Sequence, residues 1–276
     1  MGAPYPFVMQ HLVEELARGD WHDRMNSPFE LVFGDGGTAM AVRVERMADL
    51  AAALLALGLG APRPALVLVG GAGGLDSAEL DRLYPVMARG IAPVARQRGA
   101  VVIDGGTDAG VMRLIGRARE ELHASFPLIG VAAAGTVALP GADPGRAGTA
   151  ALEPRHTHFV LVPGDDWGAE APWISRLATE LAGNLPSATV VVNGGEIAFA
   201  DVAQSLTDKR PVVAVAGTGR TAERLAAAVR GEEADGRTVG LVASGLITAA
   251  GSPQDPDALA RALVGLLGGS PDPASG

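Results

Sequence analysis

Five short segments of the sequence combine glycines with polar or charged residues in a pattern that could bind an anion. They are GGAGG (70–74), GGTDAG (105–110), PGDDWG (163–168), NGGE (193–196) and AGTGR (216–220). Glycine has no Cβ, so backbone amides can approach a ligand closely. A helix that begins just after such a turn adds free N–H donors and a partial positive charge. Several such turns together predict a site for a phosphate-like anion.

Three side chains in these segments or within two residues of them could contact a nucleotide, and each also has a structural alternative. Arg220 could hold phosphate oxygens by charge-assisted hydrogen bonds, or it could pair with Glu223. Trp167 could stack on a base, or it could be an interface or core residue. Glu170 could accept hydrogen bonds from ribose hydroxyls, or it could complement a helix N-terminus. Thr107 adds a hydroxyl donor to the second segment.

Metal and acid–base chemistry have weaker support in the sequence. His156 and His158 are two residues apart and share one side of a predicted strand, but no third ligand is evident. The Asp165–Asp166 pair is more typical of a solvent-exposed turn. Glu196 and Asp201 follow another glycine turn, and either could serve as a base. We therefore predict no metal site.

The five segments lie within a repeating pattern of short apolar runs and helical stretches. Seven runs rich in β-branched residues predict strands buried on both faces: 65–71, 100–106, 128–135, 158–164, 189–195, 211–219 and 238–244. Helical patterns lie between most of them, at 76–98, 110–122, 169–183, 197–208 and 220–230. The alternation predicts an α/β fold with a Rossmann-like, doubly wound, mostly parallel sheet. Five runs end in the glycine segments. These turns could be merely tight, but ligands of such sheets bind beyond the carboxyl ends of the strands.

The first 62 residues depart from this pattern and predict a short extension packed on the main domain. Met9–Ala17 has amphipathic helical spacing, Phe29–Val44 predicts a hairpin around GDGG, and 46–59 predicts a further helix. The main domain is expected to cover 63–268. The tail, 269–276, is expected to be disordered.

Composition argues against several functional classes. The chain has 276 residues, a net charge of −9 and a single lysine, Lys209, so nucleic-acid binding is not expected. Cysteine is absent, which excludes disulfides, thiolate metal sites and cysteine nucleophiles. Neither a signal peptide nor an unbroken membrane-spanning segment is evident, so we expect a cytoplasmic protein without membrane insertion.

Five motifs follow one another in an order that is similar to that of a known family. LVLVGGAGG, RGIAPVARQRGAVVIDGGTDAGVMRLIGRA, HTHFVLVPGDDWGAEAPWISRL, VVVNGGEIAFADV and PVVAVAGTGRTAE resemble the N-terminal cytosolic domain of TRPM-type channels. They resemble even more the stand-alone prokaryotic relatives of that domain, the LSDAT group of the SLOG superfamily. More distantly, GGTDAGVMR is similar to the GGGxxGLMG loop of Lonely-guy phosphoribohydrolases.

The resemblance implies a bacterial ligand sensor that binds a nucleotide-derived molecule, ADP-ribose above all, at the carboxyl ends of the strands. It implies no required cofactor; the bound nucleotide would be ADP-ribose, AMP or a similar molecule. Output would pass through a homo-oligomer or an effector-protein partner. The residues expected at the ligand are Gly70, Gly71, Ala72, Gly73, Gly105, Gly106, Thr107, Gly110, Val111, Met112, Gly164, Trp167, Gly168, Glu170, Gly194, Gly195, Glu196, Gly217, Thr218, Gly219 and Arg220.

Two departures from the relatives bear on this expectation. Ile174 falls near a position where some channel domains have a ligand-contacting arginine. PGDDWGAE lacks the second glycine and the Gly-Thr of PGGxGTxxE, whose glutamate works with an arginine in Lonely-guy enzymes to cleave a base–ribose bond. Glu170 is the counterpart of that glutamate, and Arg155 and Arg176 are candidates for the arginine. The second hypothesis is therefore a phosphoribohydrolase or N-glycosidase acting on a nucleoside monophosphate or related nucleotide, with Glu170 as its catalytic group.

Overall fold

Residues 26–141 and 148–268, which this computed structural model describes, are built around one large sheet. The strands are β1 (Phe29–Val32), β2 (Thr38–Arg43), β3 (Ala65–Gly70), β4 (Val101–Asp104), β5 (Leu128–Ala133), β6 (Val137–Ala138), β7 (Ala150–Ala151), β8 (His158–Val162), β9 (Ser187–Val192), β10 (Val212–Ala214) and β11 (Ile247–Ala249). β6 and β7 pair only with each other. The other nine lie in the order β1-β2-β8-β5-β4-β3-β9-β10-β11. All neighbours are parallel except β1 and β2, which confirms the mostly parallel Rossmann-like sheet.

The direction of strand addition reverses at β3. From β3 the chain adds β4, β5 and β8 successively on one side. It then crosses to the other side of β3 and adds β9, β10 and β11. The helices that follow β3 and β9 consequently diverge to opposite sides of the sheet, and a crevice is left between them. In open α/β sheets this reversal is the usual position of a ligand.

Helices cover both faces of the sheet and bury its β-branched side chains. They are α1 (Leu50–Ala56), α2 (Ser77–Pro85), α3 (Ala92–Arg98), α4 (Gly110–Glu121), α5 (Ala171–Ala182), α6 (Glu196–Thr207), α7 (Arg220–Val229), α8 (Gly236–Val242) and α9 (Pro256–Leu266). A π-helical segment, Val86–Ile91, joins α2 to α3. One core is formed by α1, α5, α6 and α7 on one face, and a second by α2 to α4 and α9 on the other. The five predicted helical segments are confirmed.

One predicted strand is wrong. The run 238–244 lies mostly in α8, because Asp235 caps a helix there: its side chain accepts a hydrogen bond from Thr238 N–H at 3.0 Å. The last strand is instead β11, a few residues further on. The sequence reading also missed α9, which begins with Pro256 and is capped by Asp255 in the same way.

The N-terminal extension joins the sheet. The predicted hairpin is confirmed as β1 and β2, and β2 also pairs in parallel with β8. The predicted helix at 46–59 corresponds to α1 and the 3₁₀ turn before it. The predictions for Met9–Ala17 and 269–276 lie outside the described residues. Within 26–141 and 148–268, no helix is both long enough and apolar enough to span a bilayer.

Candidate functional site

A cavity of about 350 Å³ opens at the strand reversal, between the end of β3 and the turns after β4 and β9. Each of the five glycine segments contributes at least one residue to its wall. The first turn of α4, the N-caps of α5 and α6, and the first residue of α7 also lie at the cavity. The lining residues are Leu68, Val69, Gly70, Gly71, Ala72, Gly73, Gly105, Thr107, Met112, Trp167, Glu170, Ile174, Gly195, Glu196, Ile197, Ala198, Asp201 and Arg220.

The first glycine turn is held against the start of α4 by close backbone packing. Gly110 has φ +48°, and a Cβ on it would lie 1.7 Å from the carbonyl oxygen of Gly71. Val111 N–H donates to that oxygen at 3.1 Å. Gly70 is equally constrained, because a Cβ there would lie 2.5 Å from Val192 O. These glycines allow neighbouring turns to meet, and they are needed for the fold whether or not a ligand binds.

On the other side of the crevice, Asn193 joins the turn after β9 to the turn after β10. Its backbone N–H donates to Thr218 Oγ1 at 2.9 Å, and its side-chain amide donates to Thr218 O at 2.8 Å. Asn193 has φ +61° and Arg220 has φ +52°, a region that non-glycine residues rarely adopt. Such conformations cost about 1–3 kcal/mol each and tend to cluster at functional sites. The strain therefore falls on the two turns that present Arg220 to the cavity.

Arg220 is a free cation at the cavity wall. Among residues 26–141 and 148–268 its guanidinium has neither an ion-pair nor a hydrogen-bond partner. The alternative pairing with Glu223 is not observed, because Glu223 accepts from Gly217 N–H at 2.5 Å and pairs with Arg230 at 3.2 Å. An unpaired guanidinium at the first residue of α7 is suited to hold an anion at this part of the cavity.

Three glycines of the cavity wall have no packing role. A Cβ added to Gly73, Gly105 or Gly195 would meet no protein atom within 4 Å. By contrast, a Cβ on Gly106 would lie 2.7 Å from Gly130 Cα and 2.9 Å from the Phe159 ring. Gly73, Gly105 and Gly195 are therefore the glycines whose missing side chain leaves space for a ligand.

Three carboxylates line the cavity near α5 and α6: Glu196, which pairs with Arg237 at 2.6 Å, and Glu170 and Asp201, which have no ion-pair partner among the described residues. Glu170, the N-cap of α5, accepts from Gly168 N–H at 3.0 Å. Burial raises the pKa of Glu170, although backbone hydrogen bonds oppose the shift. Burial also raises the pKa of Asp201 to about 7, and the negative charge of Glu170 adds to this effect. Apolar neighbours, Ile174 on α5 and Ile197 on α6, complete this end of the cavity.

A buried ionic cluster of His156, Asp104 and Glu153 is hydrogen-bonded to the second glycine turn. His156 Nε2 lies 2.9 Å from Asp104 Oδ1, and His156 Nδ1 lies 2.9 Å from Glu153 Oε2. Asp104 Oδ1 also accepts from Gly106 N–H at 2.7 Å, and Glu153 N–H donates to Gly106 O at 2.9 Å. Burial alone would lower the pKa of His156, but the charges and hydrogen bonds of Asp104 and Glu153 raise it to about 9. At neutral pH the cluster contains an imidazolium between two carboxylates. Arg155 adds a second positive charge, 3.1 Å from Glu153 Oε1.

The remaining sequence candidates have structural surroundings of their own. His158 Nδ1 contacts Thr157 Oγ1 at 2.8 Å, not His156. No group of three or more His, Asp or Glu suited to a metal ion occurs in the described part of the chain. Neither arginine candidate for a catalytic partner lines the cavity: Arg155 pairs with Glu120 and Glu153, and Arg176 pairs with Glu180.

Most of the predicted ligand residues meet at the cavity. Those that line it are Gly70, Gly71, Ala72, Gly73, Gly105, Thr107, Met112, Trp167, Glu170, Gly195, Glu196 and Arg220. Those that do not line it are Gly106, Gly110, Val111, Gly164, Gly168, Gly194, Gly217, Thr218 and Gly219. The list of expected ligand residues did not contain the lining residues Leu68, Val69, Ile174, Ile197, Ala198 and Asp201. The sequence indicated Asp201 only as a possible base after a glycine turn; its spacing of one helical turn from Ile197 indicated that the two share a helix face.

A profile of the family described as "SLOG in TRPM, prokaryote" matches residues 63–260. The chain belongs to this family. The SLOG match begins just before β3 and ends within α9, so it includes the cavity and all five glycine segments. It leaves out β1 and β2, although β2 is hydrogen-bonded into the same sheet.

Channel proteins contain segments similar to this SLOG chain. Transient receptor potential cation channel subfamily M member 2 of Rattus norvegicus is 29% identical over 182 residues, 52% of this chain and 12% of the channel. The Mus musculus protein of the same name is 29% identical over 206 residues, 61% of this chain and 13% of the channel. The chain thus spans only a small part of the length of these relatives.

Two solved structures are similar to the SLOG chain in outline. The molybdenum cofactor carrier protein of Chlamydomonas reinhardtii has a TM-score of 0.48 and 17% identity, over 74% of this chain and 98% of its own. The molybdenum cofactor binding protein of Rippkaea orientalis has a TM-score of 0.46 and 14% identity, over 73% of this chain and 98% of its own.

Proposed function

We propose that the protein binds a phosphorylated, nucleotide-derived ligand of the ADP-ribose type in the cavity at the strand reversal. The observation that carries the proposal is the unpaired Arg220 guanidinium, which lines the cavity together with glycines whose Cβ positions are empty. Phosphate oxygens would accept hydrogen bonds from this guanidinium and from backbone amides of the turns.

The rest of the cavity supports a small nucleotide-like molecule. Its volume of about 350 Å³ is at the low end of small-molecule sites, which range over about 300–1,000 Å³. Trp167 lies at the cavity with 45% of its surface exposed, so its ring is free to stack on a base. Ile174 also lines the cavity, so the apolar residue noted in the sequence borders the proposed ligand.

Calorimetric titration with ADP-ribose and AMP tests the proposal. Loss of a charge-assisted contact costs about 1.5–3 kcal/mol, so Arg220→Gln should weaken binding by about tenfold or more. Arg230→Gln is the matched control, because Arg230 lies at the other end of α7 and pairs with Glu223 and Glu232 away from the cavity. Equal affinities of the Arg220 variant and the wild type, or no binding of either compound, would contradict the proposal.

A catalytic version of the proposal rests on Glu170. Its raised pKa at a largely apolar cavity end suits proton transfer or stabilisation of a ribose cation during base release. Against it, Arg155 and Arg176 are both engaged elsewhere. Incubation with nucleoside monophosphates and NAD, followed by chromatography, decides between the two: base release that Glu170→Gln abolishes would establish a glycosidase. A homo-oligomer or effector partner and a cytoplasmic location stay predictions.

A further inference from the structure

The end of the cavity between α5 and α6 contains two carboxylates that an anion-binding site would not need. Glu170 and Ile174 lie one turn apart on α5, and Ile197 and Asp201 lie one turn apart on α6. All four line the cavity, and the other carboxylate of the lining, Glu196, is paired with Arg237. Arg220, Gly73 and Gly105 belong to other segments of the wall. Within the described part of the chain, the cavity lining therefore combines an unpaired cation, Arg220, with two unpaired carboxylates, Glu170 and Asp201.

Asp201 has no structural partner that would explain its position. Its side chain is largely desolvated but reaches the cavity, and among residues 26–141 and 148–268 its carboxyl group makes no hydrogen bond. The group that affects it electrostatically is Glu170, which carries the same charge. A buried carboxyl without a hydrogen bond destabilises a fold. Its retention at a cavity wall is understandable if a ligand supplies the missing bonds.

We propose that Glu170 and Asp201 form a subsite for the vicinal hydroxyl groups of a phosphorylated sugar, whose phosphate lies at Arg220 and the glycine turns. The phosphate end of this assignment rests on the proposed function; the hydroxyl end rests on the carboxylate pair. Burial raises the pKa of both carboxyls and so favours their protonated form, in which a carboxyl donates one hydrogen bond and accepts others. Such a pair both donates and accepts hydrogen bonds, as hydroxyl groups do, whereas an ammonium group can only donate. The pair therefore fits sugar hydroxyls better than an amine.

Binding of AMP, 2′-deoxy-AMP and 2′,3′-dideoxy-AMP, measured by calorimetry at pH 7, tests the subsite. The wild type should bind the dideoxy compound about tenfold or more weakly than AMP, since bonds to the carboxyl pair are lost. In Asp201→Asn and Glu170→Gln this preference should fall to about threefold or less. Asp81→Asn, an exposed carboxylate outside the cavity, is the control and should keep the full preference.

The possible failures are distinguishable. If neither ADP-ribose nor any of the three nucleotides binds, the proposed function fails and the subsite with it. If AMP and dideoxy-AMP bind equally, or Asp201→Asn retains the wild-type preference, the subsite alone is refuted. Phosphoethanolamine, which carries a phosphate and an amine but no sugar, tests the alternative that the carboxyl pair binds a cation. If it binds more tightly than AMP, and Asp201→Asn abolishes that binding, the pair recognises an amine and the hydroxyl assignment is wrong. A loss of preference in Asp201→Asn would not be due to unfolding, because replacing a carboxylate that has no hydrogen bond should leave the melting temperature unchanged or raise it.

Discussion

Replacement of His156 by glutamine should strongly destabilise the protein, and the loss should depend on pH. His156 is fully buried between Asp104 and Glu153, and both of its ring nitrogens are hydrogen-bonded to them. Glutamine removes the positive charge and leaves two carboxylates buried with reduced compensation. Breaking a buried ion pair by removal of one partner costs about 3–5 kcal/mol. This loss is a large fraction of the free energy of unfolding of a typical domain, which is about 5–15 kcal/mol.

The pKa of His156 gives the magnitude independently. A change from the ordinary value of 6.5 to about 9 corresponds to about 3 kcal/mol at about 1.4 kcal/mol per unit. Because the folded-state pKa is raised, this stabilisation is fully present below pH 6.5 and is lost as the pH rises through 9. The deficit of His156→Gln should therefore be largest near pH 6 and should shrink by about 3 kcal/mol above pH 9.

Urea unfolding followed by circular dichroism between pH 6 and pH 9.5 measures this dependence. Comparison of the variant with the wild type at each pH removes the contribution of the titrating groups that both proteins share, Asp201 among them. His158→Gln is the control: burial lowers the pKa of His158, so the residue is neutral and its loss should show no comparable trend. A deficit for His156→Gln below about 1 kcal/mol, or one that is constant with pH, would refute the ionic cluster as a source of stability.

Three further variants separate packing from binding. Gly105→Ala should unfold like the wild type but weaken AMP binding, because its Cβ position is empty and lies at the cavity; equal affinity would contradict this. Gly106→Ala should lower the free energy of unfolding by about 1–3 kcal/mol, since its φ is +68° and its Cβ would meet Gly130; a neutral effect in urea would contradict this. Asp201→Asn should stabilise the protein above pH 7 by on the order of 1–2 kcal/mol. The folded-state pKa of Asp201 is raised to about 7, so the wild-type protein loses stability as the pH rises from about 4 to 7, and asparagine avoids this loss. Lower stability of the variant at pH 8 would show that the carboxylate has a structural role.

The parallel strands of the sheet could be predicted from the sequence, because strands buried on both faces leave a strong apolar signal. The strand order and its reversal at β3 come from the structure. The error at 238–244 shows the limit of that signal. Thr238, Val239, Leu241 and Val242 look like a strand by residue type, yet Asp235 caps a helix three residues before Thr238. A capping side chain satisfies N–H groups that would otherwise be unpaired, and here it outweighs β-propensity. Asp255 and Pro256 carried the same signal for α9.

The carboxylate end of the cavity was harder to predict from the sequence. Glu170 is noticeable because it follows a glycine turn directly. Asp201 is a full turn inside α6, and its exposure to the cavity depends on how α5 and α6 pack against each other. Hydrophobic periodicity indicates which face of a helix is buried, but not which polar residue on that face meets a cavity. The buried partners of His156 were hidden for the same reason, since Asp104 is 52 residues away in the chain.

The glycines of the five segments illustrate why a motif alone does not define a ligand contact. Gly71 and Gly110 belong to similar motifs as Gly105 and Gly195, yet they differ in what an added Cβ would meet: protein atoms in the first pair, empty space in the second. Selection on folding is sufficient to explain the first pair. Gly105 and Gly195 increase the conformational entropy lost on folding, yet their missing Cβ atoms do not allow any closer packing within the protein. Both line the cavity. A ligand that fills that space explains both glycines, which makes the alanine variants at Gly105 and Gly195 the sharpest probes of whether the cavity is a binding site.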